Sequence, residues 1–310
     1  MISLTDDVCS TLNSDFIEKI KTLSLTIWEG KASGPQISDW LSNFKGNVLD
    51  VETERTYMLY LLTRFMYYGQ REIRALLRSI YFDLFRYPLI AGIRRRNNNT
   101  TDTGLIDAEF LKELQATRFL GLGGVAKSGT MLLYPFRKAT GLNEASFSTA
   151  DAVFAGNAEA TPPLVKRLVF IDDLCGTGEQ AADYNAEIVT PIRTKFGNSV
   201  ELSYFVMFAS TAALSALRPP ATGFDRIEAV HDLDASFKCF DADSRYLPTK
   251  ELDRTTALRI ATTYGLRLSA HPLGFRGSEL LLGFSHNVPD NTLPIIWSKD
   301  SQWKPIFERL

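Results

Sequence analysis

Hydrophobic positions along this chain follow a helical period first and a strand–helix alternation later. Phe16, Ile17, Ile20, Leu23 and Ile27 recur at helical spacing, which predicts an amphipathic helix stopped by Gly30. Asp50 is a plausible N-cap for a further helix, with Glu52 and Glu54 favouring the positive end of its dipole. Leu61, Leu62, Phe65 and Tyr68 form an apolar stripe ending near Gly69, and Ile73, Leu76, Leu77, Ile80 and Leu84 form a second that runs to Pro88. Two adjacent amphipathic helices imply an α-hairpin. Its aromatic residues (Tyr57, Tyr60, Phe65, Tyr67, Tyr68, Tyr81, Phe82, Phe85) exceed what one hairpin buries alone. They pack against the following domain or form a homodimer or partner surface.

Arg94-Arg95-Arg96-Asn97-Asn98-Asn99-Thr100-Thr101 reads as a polar linker with local positive charge, either solvated or in contact with nucleic-acid phosphate. The expected division is a helical N-terminal domain over residues 1–96 and an α/β domain over 97–310. From about Leu111 strands and helices alternate, which argues for a parallel sheet with flanking helices. Expected strands are Arg118–Leu122, a run ending at Asp172-Asp173, Leu202–Phe208, Ile227–Val230 and a stretch from Leu280. Expected helices start at Gly129, fill 179–196 with a bend at Pro191, and run over 250–264 behind a Thr249 cap.

Composition narrows the field. The chain has 310 residues, 45% hydrophobic and 23% charged, with a net charge of −2. That is a globular balance, without the global basic charge of a nucleic-acid binder. No apolar run reaches membrane-spanning length and the N-terminus lacks a signal-peptide pattern, so a cytoplasmic protein is expected. Cys9, Cys175 and Cys239 are too few and too scattered for a disulfide framework or a zinc site.

Candidate chemistry concentrates in residues 167–180, Arg-Leu-Val-Phe-Ile-Asp-Asp-Leu-Cys-Gly-Thr-Gly-Glu-Gln. An apolar strand ends in two carboxylates, then a glycine turn leads into a helix. Ligands of open α/β sheets bind outside the carboxyl ends of strands, and a glycine turn at a helix start aims N–H groups at a phosphate. Paired carboxylates beside it suit vicinal hydroxyls and Mg²⁺ on one sugar phosphate. The stretch resembles the 5-phosphoribosyl diphosphate (PRPP) motif of type I phosphoribosyltransferases. That resemblance implies Asp172 and Asp173 as the catalytic ribose carboxylates and Gly176, Thr177, Gly178, Glu179 and Gln180 as the phosphate loop. Glu179 departs from the usual small residue or lysine. A plain core strand followed by a capped helix is the simpler reading of the same residues.

A second glycine-rich turn, Gly121-Leu122-Gly123-Gly124-Val125-Ala126-Lys127-Ser128-Gly129, is similar to the family's pyrophosphate loop. By resemblance Lys127, Ser128 and Gly129 would hold the leaving pyrophosphate. The same residues differ from a Walker A loop at one position, since Ala126 stands where that loop needs glycine, so a degenerate P-loop NTPase stays open. No general base is assignable; His231, His271 and His286 qualify only by residue type.

The segment His286-Asn287-Val288-Pro289-Asp290-Asn291-Thr292-Leu293-Pro294-Ile295-Ile296-Trp297 is a capped loop packing Trp297 or a lining of the acceptor pocket. With the Tyr57–Pro88 helices and the Asp-Asp motif, it looks like the phosphoribosyltransferase-like proteins of bacterial conflict systems, some of them retron-associated. That resemblance implies a type I phosphoribosyltransferase-like α/β fold and a Mg²⁺-assisted substitution or hydrolysis at ribose C1 of PRPP or a nucleotide. It further implies a toxic antiphage effector restrained by a reverse transcriptase, its msDNA–RNA hybrid and a winged-helix protein. A non-catalytic sensor of PRPP or nucleotide is the alternative.

Overall fold

The computed structural model describes residues 4–122, 128–157, 159–162, 164–177, 183, 185–217, 223–247 and 252–309. Helices α1 (Asp6–Thr26), α2 (Gly34–Leu41) and α3 (Val51–Leu62) precede a short strand, β1 (Met66–Tyr68). Helix α4 (Gln70–Ser79), a π-helical stretch (Ile80–Arg86) and α5 (Tyr87–Arg96) follow in unbroken succession, then α6 (Thr103–Gln115). Next come β2 (Thr117–Gly121), α7 (Ser128–Thr140), α8 (Ala150–Ala155) and β3 (Arg167–Cys175). The later elements are α9 (Thr190–Phe196), β4 (Glu201–Ser210), α10 (Thr211–Leu217), β5 (Arg226–Leu233), α11 (Arg254–Gly265), β6 (Leu282–Phe284) and α12 (Pro294–Trp297). No described helix is long and apolar enough to cross a membrane.

The chain forms two compact units, one of Met1–Ile73 with Asp234–Leu310 and one of Arg74–Leu233. A boundary after Arg96 therefore falls inside the second unit, and the C-terminal stretch joins the N-terminal helices. In the first unit Trp40 donates its indole N–H to the Ile295 carbonyl at 2.7 Å, and the Tyr60 hydroxyl donates to the Tyr246 carbonyl. Phe65 and Tyr67 stack on Phe307. Tyr60, Phe65 and Tyr67 of this aromatic set are thus partnered by residues more than 180 positions away in sequence.

Several local expectations are corrected by the fold. The stripe through Phe65 and Tyr68 does not stay helical: Met66–Tyr68 leaves α3 and pairs in parallel with Leu282–Phe284. Aromatic residues favour the pleated state once a partner strand is present. Pro88 does not end a helix but lies in the first turn of α5, and Pro191 does the same in α9. A π-helical stretch precedes each proline, Ile80–Arg86 and Asn185–Val189. Its wider turn moves the carbonyls that a proline ring would otherwise strike. Arg94, Arg95 and Arg96 occupy the last turn of α5, where cations suit the negative dipole end; the loop begins only at Asn97. The α11 cap is Asp253, whose carboxylate accepts from Thr256 N–H; Thr249 lies outside the described residues.

The second unit is an α/β layer built on a parallel sheet ordered β2-β3-β4-β5, the fold class expected. The sequence run Leu168–Ile171 and the strand Glu201–Ser210 are nearly continuous apolar stretches because both sheet faces are covered. One face carries Phe119 against Tyr81, Phe85, Phe136 and Phe147. The other packs Leu168, Phe170, Leu202 and Tyr204 with Ile188, Val189, Ile192 and Phe224.

Candidate functional site

β3 lies between β2 and β4, so its apolar run has no wet face; Leu168 is 1% exposed and Val169, Phe170 and Ile171 are fully buried. The strand outlasts that run. Asp172 pairs with Val206, Leu174 with Phe208 and Cys175 with Ala209, so both aspartates lie within β3 rather than just past it. β4 continues to Ser210 and satisfies the extra backbone groups.

Both carboxylates are buried, at 5% and 6% exposure. Each takes a hydrogen bond from the next residue's backbone. Asp173 N–H donates to Asp172 Oδ1 at 3.0 Å, and Leu174 N–H donates to Asp173 Oδ1 at 2.8 Å. The Tyr204 hydroxyl of β4 donates to Asp172 Oδ2 at 3.2 Å. Buried carboxylates require such donors, and these fix the side chains in place. Sequence inspection does not single out Tyr204. Its role follows from register: Tyr204 pairs with Phe170, two residues before Asp172, and period-2 alternation keeps those side chains on one face.

Cys175 ends the strand. Burial and the negative charge of Asp172 push its thiol up to about 12, with a hydrogen bond to Tyr204 acting in the other direction. It is a protonated filler at neutral pH and no nucleophile. Gly176 and Thr177 form the turn that follows. The Thr177 hydroxyl oxygen is buried and has no hydrogen-bond partner among the described residues. Gly178, Glu179 and Gln180 lie outside the described residues.

The second glycine turn converges on the same place. α7 begins at Ser128, and its first turn presses on the end of β2 and on Ile171 midway along β3. A Cβ on Gly129 would come within 2.7 Å of Leu122 N and 2.8 Å of Ile171 O; one on Gly121 would come within 2.4 Å of Thr130 N. Only glycine fits at either position. Gly121 therefore meets the first turn of α7, and the amino end of α7 rests against the residue preceding Asp172. Lys127 lies outside the described residues, as does the Ser128 side chain. Gly129→Ala forces backbone apart at this junction and is expected to cost about 1–3 kcal/mol, a typical overpacking penalty. Thermal unfolding followed calorimetrically checks it; an unchanged midpoint would show that α7 is not seated on Ile171.

His231 is the histidine of this unit. It is exposed on β5, stacked on Phe208 of β4 with ring centroids 5.4 Å apart. His271 and His286 belong to the other unit. Asn291 and Thr292 of the C-terminal segment are buried, and the Trp297 indole at the end of α12 donates to the Thr292 carbonyl at 2.8 Å. Among the described residues no group of three or more His, Cys, Asp or Glu side chains is arranged to hold a metal ion.

The arrangement is thus a buried carboxylate pair, an orphaned hydroxyl in the adjoining turn and the amino end of a thirteen-residue helix, all at the carboxyl edge of a parallel sheet. Such an edge suits a ligand with hydroxyls at one end and anionic groups at the other. A family model described as PRTase-CE matches residues 37–309. No curated protein and no solved structure matches the chain.

Proposed function

The chain belongs to the phosphoribosyltransferase-like PRTase-CE family, and from that premise we propose that it binds PRPP or a nucleotide at the carboxyl edge of β3 and acts at ribose C1. The observation that carries this reading is the close approach of Gly129 to the Ile171 carbonyl, which seats the amino end of α7 against the residue preceding the aspartate pair.

In this reading Asp172 and Asp173 accept hydrogen bonds from the ribose hydroxyls. The turn from Gly176 to Gln180 takes the 5-phosphate, with the Thr177 hydroxyl as one donor. Lys127 and the backbone amides of Ser128 and Gly129 take the pyrophosphate at the amino end of α7, whose dipole favours an anion. Held at both ends, the sugar presents C1 to water or an acceptor, and catalysis is chiefly positioning with electrostatic stabilisation. Two carboxylates are hard oxygen donors, which fits Mg²⁺ near Asp172 and Asp173 held mainly through ligand oxygens and water. When bound, that ion would neutralise charge developing on the leaving group. Consumption of PRPP or nucleotides by such an enzyme is the action of a toxic effector in antiphage defence, the biological role we propose for it.

Titration calorimetry of the full chain with PRPP and MgCl₂ tests the reading. Saturable binding is expected, tighter for PRPP than for ribose 5-phosphate. No heat from a folded protein would refute it. Release of pyrophosphate or free base over time is expected of the enzyme, and bound but unconverted ligand would identify a sensor instead.

A further inference from the structure

The helical layer over the Phe119 face of the sheet carries a second feature unrelated to the aspartate pair. Arg78 Nη1 donates to the Ala139 carbonyl at 3.1 Å, and Tyr81 packs on Phe136. The order of these contacts sets the α4–π stretch antiparallel to α7. From Arg74 to Arg96 the chain has six arginines against one aspartate, Asp83, in a protein of net charge −2. Nearby acids neutralise part of this. Glu113 pairs with Arg96 at 2.9 Å and Glu144 with Arg137 at 3.5 Å. Arg74, Arg78, Arg86, Arg94, Arg95 and Lys138 have no carboxylate partner among the described residues.

The cations alternate with rings. Arg78 and Arg86 both lie over Phe82, at 5.0 and 6.0 Å from its centroid, and Lys138 lies 5.6 Å from that of Tyr134. Tyr87 and Tyr134 are large aromatic residues left 55% and 66% exposed. A cleft of about 370 Å³ is lined by Ala75, Arg78, Ser79, Phe82, Asp83 and Tyr87.

We propose that this face binds single-stranded nucleic acid. Guanidinium groups without a carboxylate partner match a phosphate chain, and exposed tyrosines match unpaired bases. An acidic peptide offers no rings to stack, and a duplex keeps its base faces covered. The proposal does not rest on the sugar-phosphate reading, and its variants lie outside that site.

Fluorescence anisotropy of the full chain with a labelled 20-nucleotide single strand tests it. Binding at 50 mM salt is expected to weaken at least tenfold by 200 mM. Arg74→Glu with Arg95→Glu and Lys138→Glu is expected to weaken binding more than tenfold and to flatten the salt dependence. Tyr87→Ala with Tyr134→Ala is expected to weaken it about tenfold with the salt slope kept. Circular dichroism melts and PRPP calorimetry should match those of the parent. The proposal is overturned by no binding at 50 mM salt, or by both sets of variants binding like the parent. Equal or tighter binding to a duplex, to polyglutamate or to phosphatidylserine vesicles overturns it as well.

Discussion

Asp172→Asn with Asp173→Asn is expected to abolish PRPP binding while leaving the chain folded. Asparagine is nearly isosteric with aspartate and keeps a side-chain carbonyl. The bonds now made by Asp173 N–H, Leu174 N–H and the Tyr204 hydroxyl therefore retain an acceptor. What disappears is the charge. A hydrogen bond to a charged group contributes about 1.5–3 kcal/mol, so losing two costs about 3–6 kcal/mol, or at least a hundredfold in affinity. Stability should move in the opposite sense or not at all, because two buried carboxylates in adjacent positions are costly to desolvate. Calorimetry with PRPP and Mg²⁺ measures the first quantity and a denaturant titration the second. An affinity within threefold of the parent would remove the aspartates from the ligand site. A large loss of stability would mean instead that they are structural.

Tyr204→Phe separates orientation from charge at the same site. The ring stays packed against Phe224, while the hydroxyl's bonds to Asp172 Oδ2 and Cys175 are lost. A modest weakening is consistent with Tyr204 as a positioning residue.

Much of this site is legible in one sequence because its requirements are local. A strand buried on both faces must be apolar throughout, so Leu168–Ile171 announces itself. Gly121 and Gly129 are visible as glycines, although nothing local reveals that each meets backbone of another element. Tyr204 is invisible because its partner is set by register between strands 32 positions apart. The fold shows the same division. Asp50 caps α3 as its position suggests, its carboxylate accepting from Thr53 N–H at 2.8 Å. The strand Met66–Tyr68 depends on Leu282–Phe284 and carries no signal of its own. The polar stretch after Arg94 marks a turn between two helices, since a loop's composition records exposure and not whether the flanking elements share a core.

Glu54 is the sharpest case of a residue whose role exceeds its local appearance. By position it is an acid in the first turn of α3, worth a few tenths of a kcal/mol through the helix dipole. In the fold it is fully buried and organises the loop before that helix. Its Oε2 accepts from Gly46 N–H at 2.9 Å and from the Tyr264 hydroxyl, and its Oε1 accepts from Val48 N–H at 2.6 Å and Leu49 N–H at 3.3 Å. Burial and this carboxylate raise the Tyr264 hydroxyl above its ordinary pKa, so it stays a donor across the physiological range. Glu54→Ala strands three backbone N–H groups and a hydroxyl together. Each costs about 1–3 kcal/mol when buried without an acceptor, and water entering the space left by the side chain relieves part of it. A net loss of about 3–5 kcal/mol is expected. Glu54→Gln keeps one acceptor oxygen and should lose about half as much, and Tyr264→Phe less again. All four tryptophans, Trp28, Trp40, Trp297 and Trp303, lie in the unit that contains Glu54, so tryptophan fluorescence in a urea titration reads that unit directly. If Glu54→Ala shifts stability by under 1 kcal/mol, the loop is held by its backbone alone and the carboxylate is not its organising group.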